Sequence, residues 1–224
     1  IYSQAAVNRF NALYQAVVKA DQDYSDTLGC QPSIKHTTVK PSGTVAKLAG
    51  VSEGMHFHYA RYLIQRIRFQ DSDPLLPALK ASGYKVEPDV YSQNTMCVEF
   101  PVKAAHADEP AFASAGEVSM AEQFATQAFL QTYWSDNAVS CTVTFQPEEG
   151  QDISDLLLQY RHTIKSTSLL PYSGADFKQA PKEPIDAGTY DAKCQEITAD
   201  VAEQFAAMTG NHDQKDIELV DQSD

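Results

Sequence analysis

Long hydrophobic runs, clusters of basic residues and closely spaced cysteines are all absent from this sequence of 224 residues. No apolar run reaches the roughly 18–20 residues that a membrane-spanning helix requires, and we recognise no signal peptide, so we expect a cytoplasmic protein without a membrane association. The formal net charge of −13 argues against a nucleic-acid partner, because a surface that grips a phosphate backbone needs clustered Lys and Arg. A small anion can still bind, since oriented backbone N–H groups attract it whatever the net charge is.

The four cysteines are far apart and include no Cys-x-x-Cys pair; they are Cys30, Cys97, Cys141 and Cys194. This pattern is typical of buried, reduced thiols, so we predict neither a disulfide nor a metal site. Three common catalytic motifs are also missing, namely the Gly-x-Ser-x-Gly elbow, the Gly-x-x-x-x-Gly-Lys-Ser/Thr loop and the Gly-x-Gly-x-x-Gly fingerprint. The residues alone therefore offer no complete catalytic set.

The spacing of apolar residues predicts an alternation of helices and strands. Helices are predicted over about Tyr2–Leu28, Asp73–Ser82, Met120–Trp134, Asp152–Arg161 and Tyr190–Met208, and strands over Ile34–Val39, Ala60–Gln70, Thr95–Val102, Ala138–Phe145 and Thr163–Leu170. The polar stretch Ser173–Tyr190, with its glycines and prolines, is predicted to be a long ordered loop. This alternation favours an α/β fold with a mostly parallel sheet or barrel.

The helix after residue 119 has the clearest start. Ser119 and Glu122 form the pattern of a capping box, in which a hydroxyl bonds the first free backbone N–H groups. Its predicted inner face consists of Met120, Phe124, Ala128 and Tyr133. We interpret residues 1–210 as one α/β unit and residues 211–224 as an acidic tail, and we expect the chain to be a segment of a longer polypeptide or one half of a split one.

The run Pro41-Ser42-Gly43-Thr44 joins a predicted strand to a predicted helix of about two turns that ends at Gly50. Such a turn leaves backbone N–H groups unpaired at the start of the helix, where the helix dipole attracts anions. Gly43 lets a ligand approach the backbone closely, and the hydroxyls of Ser42 and Thr44 add donors. Two interpretations follow: a phosphate site, or an ordinary strand–turn–helix connection that Ser42 or Thr44 caps.

Other polar residues each allow a functional and a structural interpretation. His56 and His58 would share one face of a strand, as two metal ligands must, but no third ligand is suitably spaced, and a polar pair at the end of a sheet explains them equally well. Glu53, beside the turn, is either a base or a solvated carboxylate. Three arginines of one predicted strand either hold an anion or pair with acidic neighbours: Arg61, Arg66 and Arg68.

Three blocks around this turn resemble ribonucleotide reductases, most closely the adenosylcobalamin-dependent class II type with its monomeric ribonucleoside-triphosphate reductases. These blocks are Thr38–Thr44, Ala49–His56 and Tyr59–Arg68, and the further blocks Asp136–Phe145, Lys165–Pro171, Gln179–Ile185 and Glu218–Asp224 follow in the order of the family. The resemblance therefore covers almost the whole chain.

The resemblance implies the C-terminal part of a ten-stranded α/β barrel that converts ribonucleoside triphosphates to 2′-deoxyribonucleoside triphosphates. In that family adenosylcobalamin initiates a thiyl radical, which removes the ribose 3′-hydrogen, and a cysteine pair then reduces C2′ as water leaves. The substrate phosphates are expected at Pro41, Ser42, Gly43, Thr44 and Val45. Cobalamin contacts are expected between Tyr59 and Met120 and between Gln179 and Glu218, and the reducing electrons are expected from a thioredoxin-like dithiol protein.

The sequence also departs from the family. The Asn-Pro-Cys-x-Glu signature, which carries the radical cysteine and the catalytic carboxylate, is missing, as is the terminal cysteine pair. We therefore expect no catalytic residue in this segment and no activity from it alone; a preceding N-terminal portion, in cis or as a separate chain, would supply those groups. The alternatives are a non-catalytic barrel-half module that assembles with a larger subunit, and an unrelated phosphate-binding α/β protein.

Overall fold

The computed structural model describes residues 2–43, 45–172 and 178–210. Its helices are α1 (Gln4–Leu28), α2 (Val45–Leu48), α3 (Leu75–Ala81), α4 (Met120–Tyr133), α5 (Ile153–Tyr160), α6 (Ala187–Glu196) and α7 (Val201–Thr209). Its strands are β1 (Tyr62–Gln70), β2 (Lys85–Pro88), β3 (Thr95–Lys103), β4 (Thr142–Phe145), β5 (Ser168–Pro171) and β6 (Lys182–Ile185), and a 3-10 helix spans Pro147–Asp152. The contacts divide the chain into two compact units, the first from residues 1–61 and 104–174 and the second from residues 62–103 and 175–224. Over the described ranges, no helix is both long and apolar enough to cross a bilayer.

Helix α1 begins and ends close to where the sequence predicts. Ser3 caps its start, because its hydroxyl accepts the N–H of Ala6 at 3.2 Å. Gly29 ends it with a φ of 68°, a left-handed conformation that glycine adopts without strain. Phe10 packs edge-on against Phe129, with 5.6 Å between the ring centroids, so α1 lies against α4.

Helix α4 is the central element of the first unit. Ser119 caps it by accepting the N–H of Glu122, which confirms the predicted start. The apolar cluster beside it consists of Met120, Phe124, Cys141 and Val143, and so joins α4 to β4. More of the helix is buried than the predicted inner face, because it also buries three glutamines at intervals of four residues: Gln123, Gln127 and Gln131.

These three residues, here called the glutamine row, bond to backbone groups. Gln123 accepts the N–H of Thr144 at 2.9 Å and donates to the carbonyl of the same residue at 2.8 Å. Gln131 accepts the N–H of Val139 at 3.1 Å, and Gln127 donates to its carbonyl at 3.2 Å. The glutamine row therefore satisfies backbone groups along residues 139–144, as a neighbouring strand would.

Strands β4 and β5 form a parallel pair, with Thr142 opposite Ser168. Both begin later than predicted. The predicted strand Ile34–Val39 is wrong except at its end, where Val39 forms an isolated bridge with Val139. Ile34, at the start of that predicted strand, is 95% exposed, so burial does not hold an extended segment there.

Asp136 connects α1 to the chain that enters the turn at residue 41. Its carboxylate accepts the hydroxyl of Tyr14 at 3.0 Å and the backbone N–H of His36 at 2.8 Å. Burial alone would raise the pKa of Asp136, but these bonds outweigh burial and hold that pKa below its ordinary value of 3.8. The His36 ring also lies 3.2 Å from the carboxylate of Asp21, so His36 contacts one acidic residue through its backbone and another through its ring.

The second unit is an antiparallel sheet of four strands in the order β2-β3-β1-β6. The prediction of a mostly parallel sheet is wrong for this unit. The central pair β1 and β3 confirms the predicted strands, with Tyr62 opposite Lys103 and Gln70 opposite Thr95. The sequence did not predict β2 or β6, because charged residues and proline obscure the alternation of such short strands.

The end of the described chain differs from the prediction of one long helix. The chain leaves helical geometry at Ile197, and the carboxylate of Asp200 caps a new start by accepting two backbone N–H groups, so α6 and α7 are separate. The predicted loop Ser173–Tyr190 is wrong in part, since β6 and the first turn of α6 lie within it; residues 173–177 lie outside the described ranges.

The junction between α6 and α7 packs against the turn that follows α3. Gly83 has a φ of 96°, and a Cβ placed on it would lie only 2.0 Å from the carbonyl oxygen of Glu196. Next to it, the N–H of Thr198 donates to the carbonyl of Ser82 at 3.0 Å. Glycine is therefore required where these two backbones meet.

Candidate functional site

The Pro41–Val45 turn contains a side-chain cap. The Ser42 hydroxyl accepts the N–H of Val45 at 2.9 Å, and α2 begins at Val45. This contact agrees with the interpretation of a capped connection, and α2 is shorter than the predicted two turns. A hydroxyl that accepts one bond keeps its own hydrogen to donate. A Cβ placed on Gly43 would meet no atom within 4 Å, so the space beside the turn is open; Thr44 lies outside the described residues.

The backbone holds the chain that enters this turn. Val39 bridges Val139, and its carbonyl accepts the N–H of Ser140 at 3.0 Å. On the other side, Gly54 packs against the Lys40–Pro41 peptide: a Cβ on Gly54 would lie 2.9 Å from the Lys40 carbonyl oxygen. The φ of 58° at Gly54 also favours glycine. The turn therefore starts from a fixed position between two backbone contacts.

His56 connects the Gly54 turn to β4. Its Nε2 accepts the N–H of Thr142 at 2.9 Å, and its Nδ1 lies 2.7 Å from the carbonyl oxygen of Glu53, to which only a protonated Nδ1 can donate. Both ring nitrogens are thus used within the protein. His58 instead stacks on Phe112, at 5.8 Å between the ring centroids. The structure does not bring the two histidines together as ligands, and within the described residues no group of three His, Cys, Asp or Glu is placed to hold a metal ion.

Arg61 organises the loop that follows β3. Its guanidinium donates to the carbonyls of Ala107 and Phe112 and lies 4.7 Å above the Phe112 ring centroid. Glu117 closes the same loop by accepting the N–H and the hydroxyl of Ser114, bonds that lower the pKa of its carboxyl. The contacts of Arg61 are therefore structural, but they go to backbone carbonyls and an aromatic ring and not to the acidic neighbours that the sequence suggested.

Arg66 and Arg68 are also committed to structural contacts, in the second unit. Arg66 has only 10% of its side chain exposed and lies 2.8 Å from Glu99, while Arg68 lies 2.9 Å from the fully buried carboxylate of Asp89. Both also donate to backbone carbonyls of residues 179–181. These arginines hold the chain before β6 against the sheet and do not form an anion site.

The similarity to known proteins extends over the whole chain. The chain is 99% identical over all 224 residues to the adenosylcobalamin-dependent ribonucleoside-triphosphate reductase of Levilactobacillus brevis and 72% identical to that of Lacticaseibacillus paracasei. A solved structure of a B12-dependent (class II) ribonucleotide reductase matches with a TM-score of 0.87 and 69% identity, over 94% of this chain and 29% of that chain. The predicted resemblance is confirmed. The chain spans about 30% of the length of the curated relatives that it matches, and no family model matches it.

The described part of the chain therefore has the same fold as the corresponding part of that class II reductase. Within it, the four cysteines are all free thiols. Cys97 and Cys141 are buried as predicted, and burial raises the pKa of the Cys141 thiol to about 11. The prediction of a buried thiol is wrong for Cys30, which is exposed beyond the end of α1, and Cys194 is half-buried.

The segments where the resemblance places cobalamin lie partly within the described residues. An open cavity of about 610 Å³ lies beside the turn between β2 and β3, inside the Tyr59–Met120 segment. Its lining combines the uncharged polar residues Ser92, Gln93, Asn94 and Thr95 with two carboxylates, Asp71 and Asp89, and with apolar residues. Of the Gln179–Glu218 segment, the structure describes the residues up to 210.

Sequence reasoning missed two features of the site. The glutamine row had a readable signal, because glutamine recurs at positions 123, 127 and 131 on one face of a predicted helix. The hydrogen bond between His56 and Thr142 had no signal in the sequence, because the two residues are 86 positions apart.

Proposed function

We propose that this chain is the part of an adenosylcobalamin-dependent ribonucleoside-triphosphate reductase that holds the substrate phosphates and contributes to the cobalamin site. The observation that carries this proposal is the identity of 99% over all 224 residues with a reductase of that name. With so few differences, the two chains share almost every side chain that could bind a ligand. The confirmed resemblance of the separate sequence blocks supports the same conclusion.

The phosphate site in this proposal is Pro41, Ser42, Gly43, Thr44 and Val45. Ser42 and the backbone at the start of α2 donate hydrogen bonds to phosphate oxygens, and Gly43 leaves the room that the ligand occupies. The open space beside Gly43 supports this role. The turn binds and orients a substrate, and the groups that react with the ribose come from outside this chain.

The cobalamin contacts in this proposal lie within Tyr59–Met120 and Gln179–Glu218. Four uncharged polar side chains of the cavity beside residues 88–96 are chemically suited to the amide groups of a corrin; the cavity also contains two carboxylates and is smaller than the whole cofactor. When bound, adenosylcobalamin supplies the radical that initiates reduction. The residues of this chain hold the cofactor and exclude water from it.

The complete catalytic unit in this proposal is a ten-stranded α/β barrel. The chain forms its C-terminal part, and the remaining portion of the reductase supplies the radical cysteine, the carboxylate and the terminal cysteine pair that a thioredoxin-like protein reduces. The 30% share of the relatives' length supports this division.

The test combines this chain with the remaining portion of the Levilactobacillus brevis reductase. We expect cobalamin-dependent formation of deoxynucleotide from a ribonucleoside triphosphate by the mixture and none from either part alone. A mixture that forms a stable complex but binds neither nucleotide nor cobalamin would instead support the non-catalytic assembly module.

The phosphate site is tested by Gly43→Ala in the full-length reductase. Because the new methyl group has room in the free turn, we expect unchanged folding but a KM for ribonucleoside triphosphate raised on the order of tenfold, the equivalent of one lost hydrogen bond to a charged group. Gly150→Ala is the matched control, since its Cβ would be 3.6 Å from Phe145, an ordinary contact. An unchanged KM for Gly43→Ala would place the phosphates elsewhere.

A further inference from the structure

His56 lies where the proposed phosphate-binding turn Pro41–Val45, here called the phosphate turn, is connected to the sheet of its unit. The strand segment 139–142 supports the turn twice. Val39, just before the turn, pairs with Val139, and its carbonyl accepts the N–H of Ser140. His56 bonds to the N–H of Thr142 at 2.9 Å, and through Glu53 and Gly54 it contacts the Lys40–Pro41 peptide from the other side.

The second of these supports includes a hydrogen bond from one imidazole. Nε2 of His56 bonds this turn to β4, while Nδ1 fixes the ring on the carbonyl of Glu53. The Gly54 backbone lies so close to Lys40 that an added Cβ would be only 2.9 Å from its carbonyl oxygen, so a shift of the Glu53–His56 turn toward residue 40 displaces the Lys40–Pro41 peptide. The position of the imidazole is therefore transmitted to the first residue of the phosphate turn.

We propose that His56 is a positioning residue for the phosphate turn: it sets the distance of that turn from β4 and hence the place of the substrate phosphates. This inference rests on the proposed phosphate site. His56 touches neither the substrate nor the cofactor in this role. Loss of its bonds displaces a binding contact that is the same in the ground state and in the transition state, so KM changes and kcat does not.

The local fold does not depend on the imidazole alone. The N–H of His56 also donates to the carbonyl of Glu53 at 3.0 Å, and Met55 packs on the apolar cluster of α4 and β4. A substitution of His56 is thus expected to shift the turn without unfolding the unit.

Three variants of the full-length reductase separate the two bonds. His56→Ala removes both, and we expect a KM for ribonucleoside triphosphate raised on the order of tenfold with kcat within about twofold of the wild type. Gln places an acceptor near the position of Nε2 and Asn places a donor near that of Nδ1, so His56→Gln is expected to recover most of the affinity and His56→Asn little of it. His162→Ala is the matched control, because His162 is exposed and far from the turn in sequence.

The outcomes distinguish this inference from the proposed phosphate site. If Gly43→Ala raises KM but His56→Ala does not, or if His56→Ala lowers kcat at an unchanged KM, His56 does not position the turn. If Gly43→Ala has no effect, the phosphate site itself is wrong. Should His56→Ala fail to fold, the Gln and Asn variants decide: equal KM values for both would overturn the inference, and a lower KM for Gln would support it.

Discussion

Gly83→Ala offers a direct test of how the second unit is assembled. The turn at Gly83 faces the end of α6, and an added Cβ would lie 2.0 Å from the Glu196 carbonyl oxygen, where real Cβ contacts stay above 3.0 Å. One backbone must therefore move by about 1 Å. Because both contacting groups belong to the main chain, no side-chain rotation relieves the overlap.

The expected loss of stability follows from three contributions. A residue with a Cβ at a φ of 96° costs about 1–3 kcal/mol. Displacement of the α6–α7 junction breaks the bond from Thr198 to Ser82, worth about 1 kcal/mol. It also disturbs Val201, which packs on the cluster of Leu76, Leu79 and Val98. We expect a total of about 3–5 kcal/mol, a range reached only by mutations that disturb packing or backbone.

The assay is urea unfolding of the chain, combined with hydrogen exchange of the amides in residues 82–103. Gly210→Ala is the matched control, since Gly210 has a φ of 69° but a Cβ on it would meet nothing within 4 Å. It should lose only about 1 kcal/mol, the cost of the backbone conformation. If Gly83→Ala lost no more than this control, the close backbone contact would not exist in solution.

Three further predictions concern the first unit. Folding lowers the pKa of Asp136, so the ionised carboxylate stabilises the fold above pH 3.8, and this stabilisation is lost as the pH falls through the lower folded-state value. Asp136→Asn should therefore make unfolding, followed by Trp134 fluorescence, depend less on acid. If the Trp134 fluorescence of the wild type and of the variant changed at the same acid midpoint below pH 3.8, this expectation would be wrong. A thiol reagent at pH 8 should label Cys30 at once and Cys141 only upon unfolding, because Cys141 is 7% exposed and its pKa is raised to about 11; fast labelling of both in the native chain would refute its burial. Arg61→Ala should increase hydrogen exchange in residues 104–116, since the carbonyls that it bonds lose their donor, and unchanged exchange would show that other contacts hold this loop.

The sequence predicted elements that depend on local chemistry. The Ser119 cap and the left-handed Gly29 are recognised within one helical turn, and the long strand Tyr62–Gln70 shows enough β-branched and aromatic residues to be identified alone. The antiparallel order of the second sheet depends instead on pairing between residues far apart. Lys182–Ile185 becomes a strand because β1 lies beside it, and its own residues favour a loop.

The same difference between local and distant contacts applies to the candidate site. The Pro41–Thr44 turn and its Ser42 cap were predictable, because the spacing of hydroxyl, glycine and helix start is local. The roles of Arg61 and His56 depend on carbonyl and N–H groups of distant segments, which no spacing in the sequence indicates. The family resemblance added the expectation of a nucleotide phosphate, which local chemistry alone left as an unspecified anion.

The glutamine row has a consequence for how α4 can move. Gln123 bonds both backbone groups of Thr144, whereas Gln127 and Gln131 bond the carbonyl and the N–H of Val139. A slide of α4 along the 139–144 segment would break all of these bonds together, so α4 and β4 are expected to move as one rigid body. A glutamate at any position of the row would lack the N–H donor that the bonds to backbone carbonyls need.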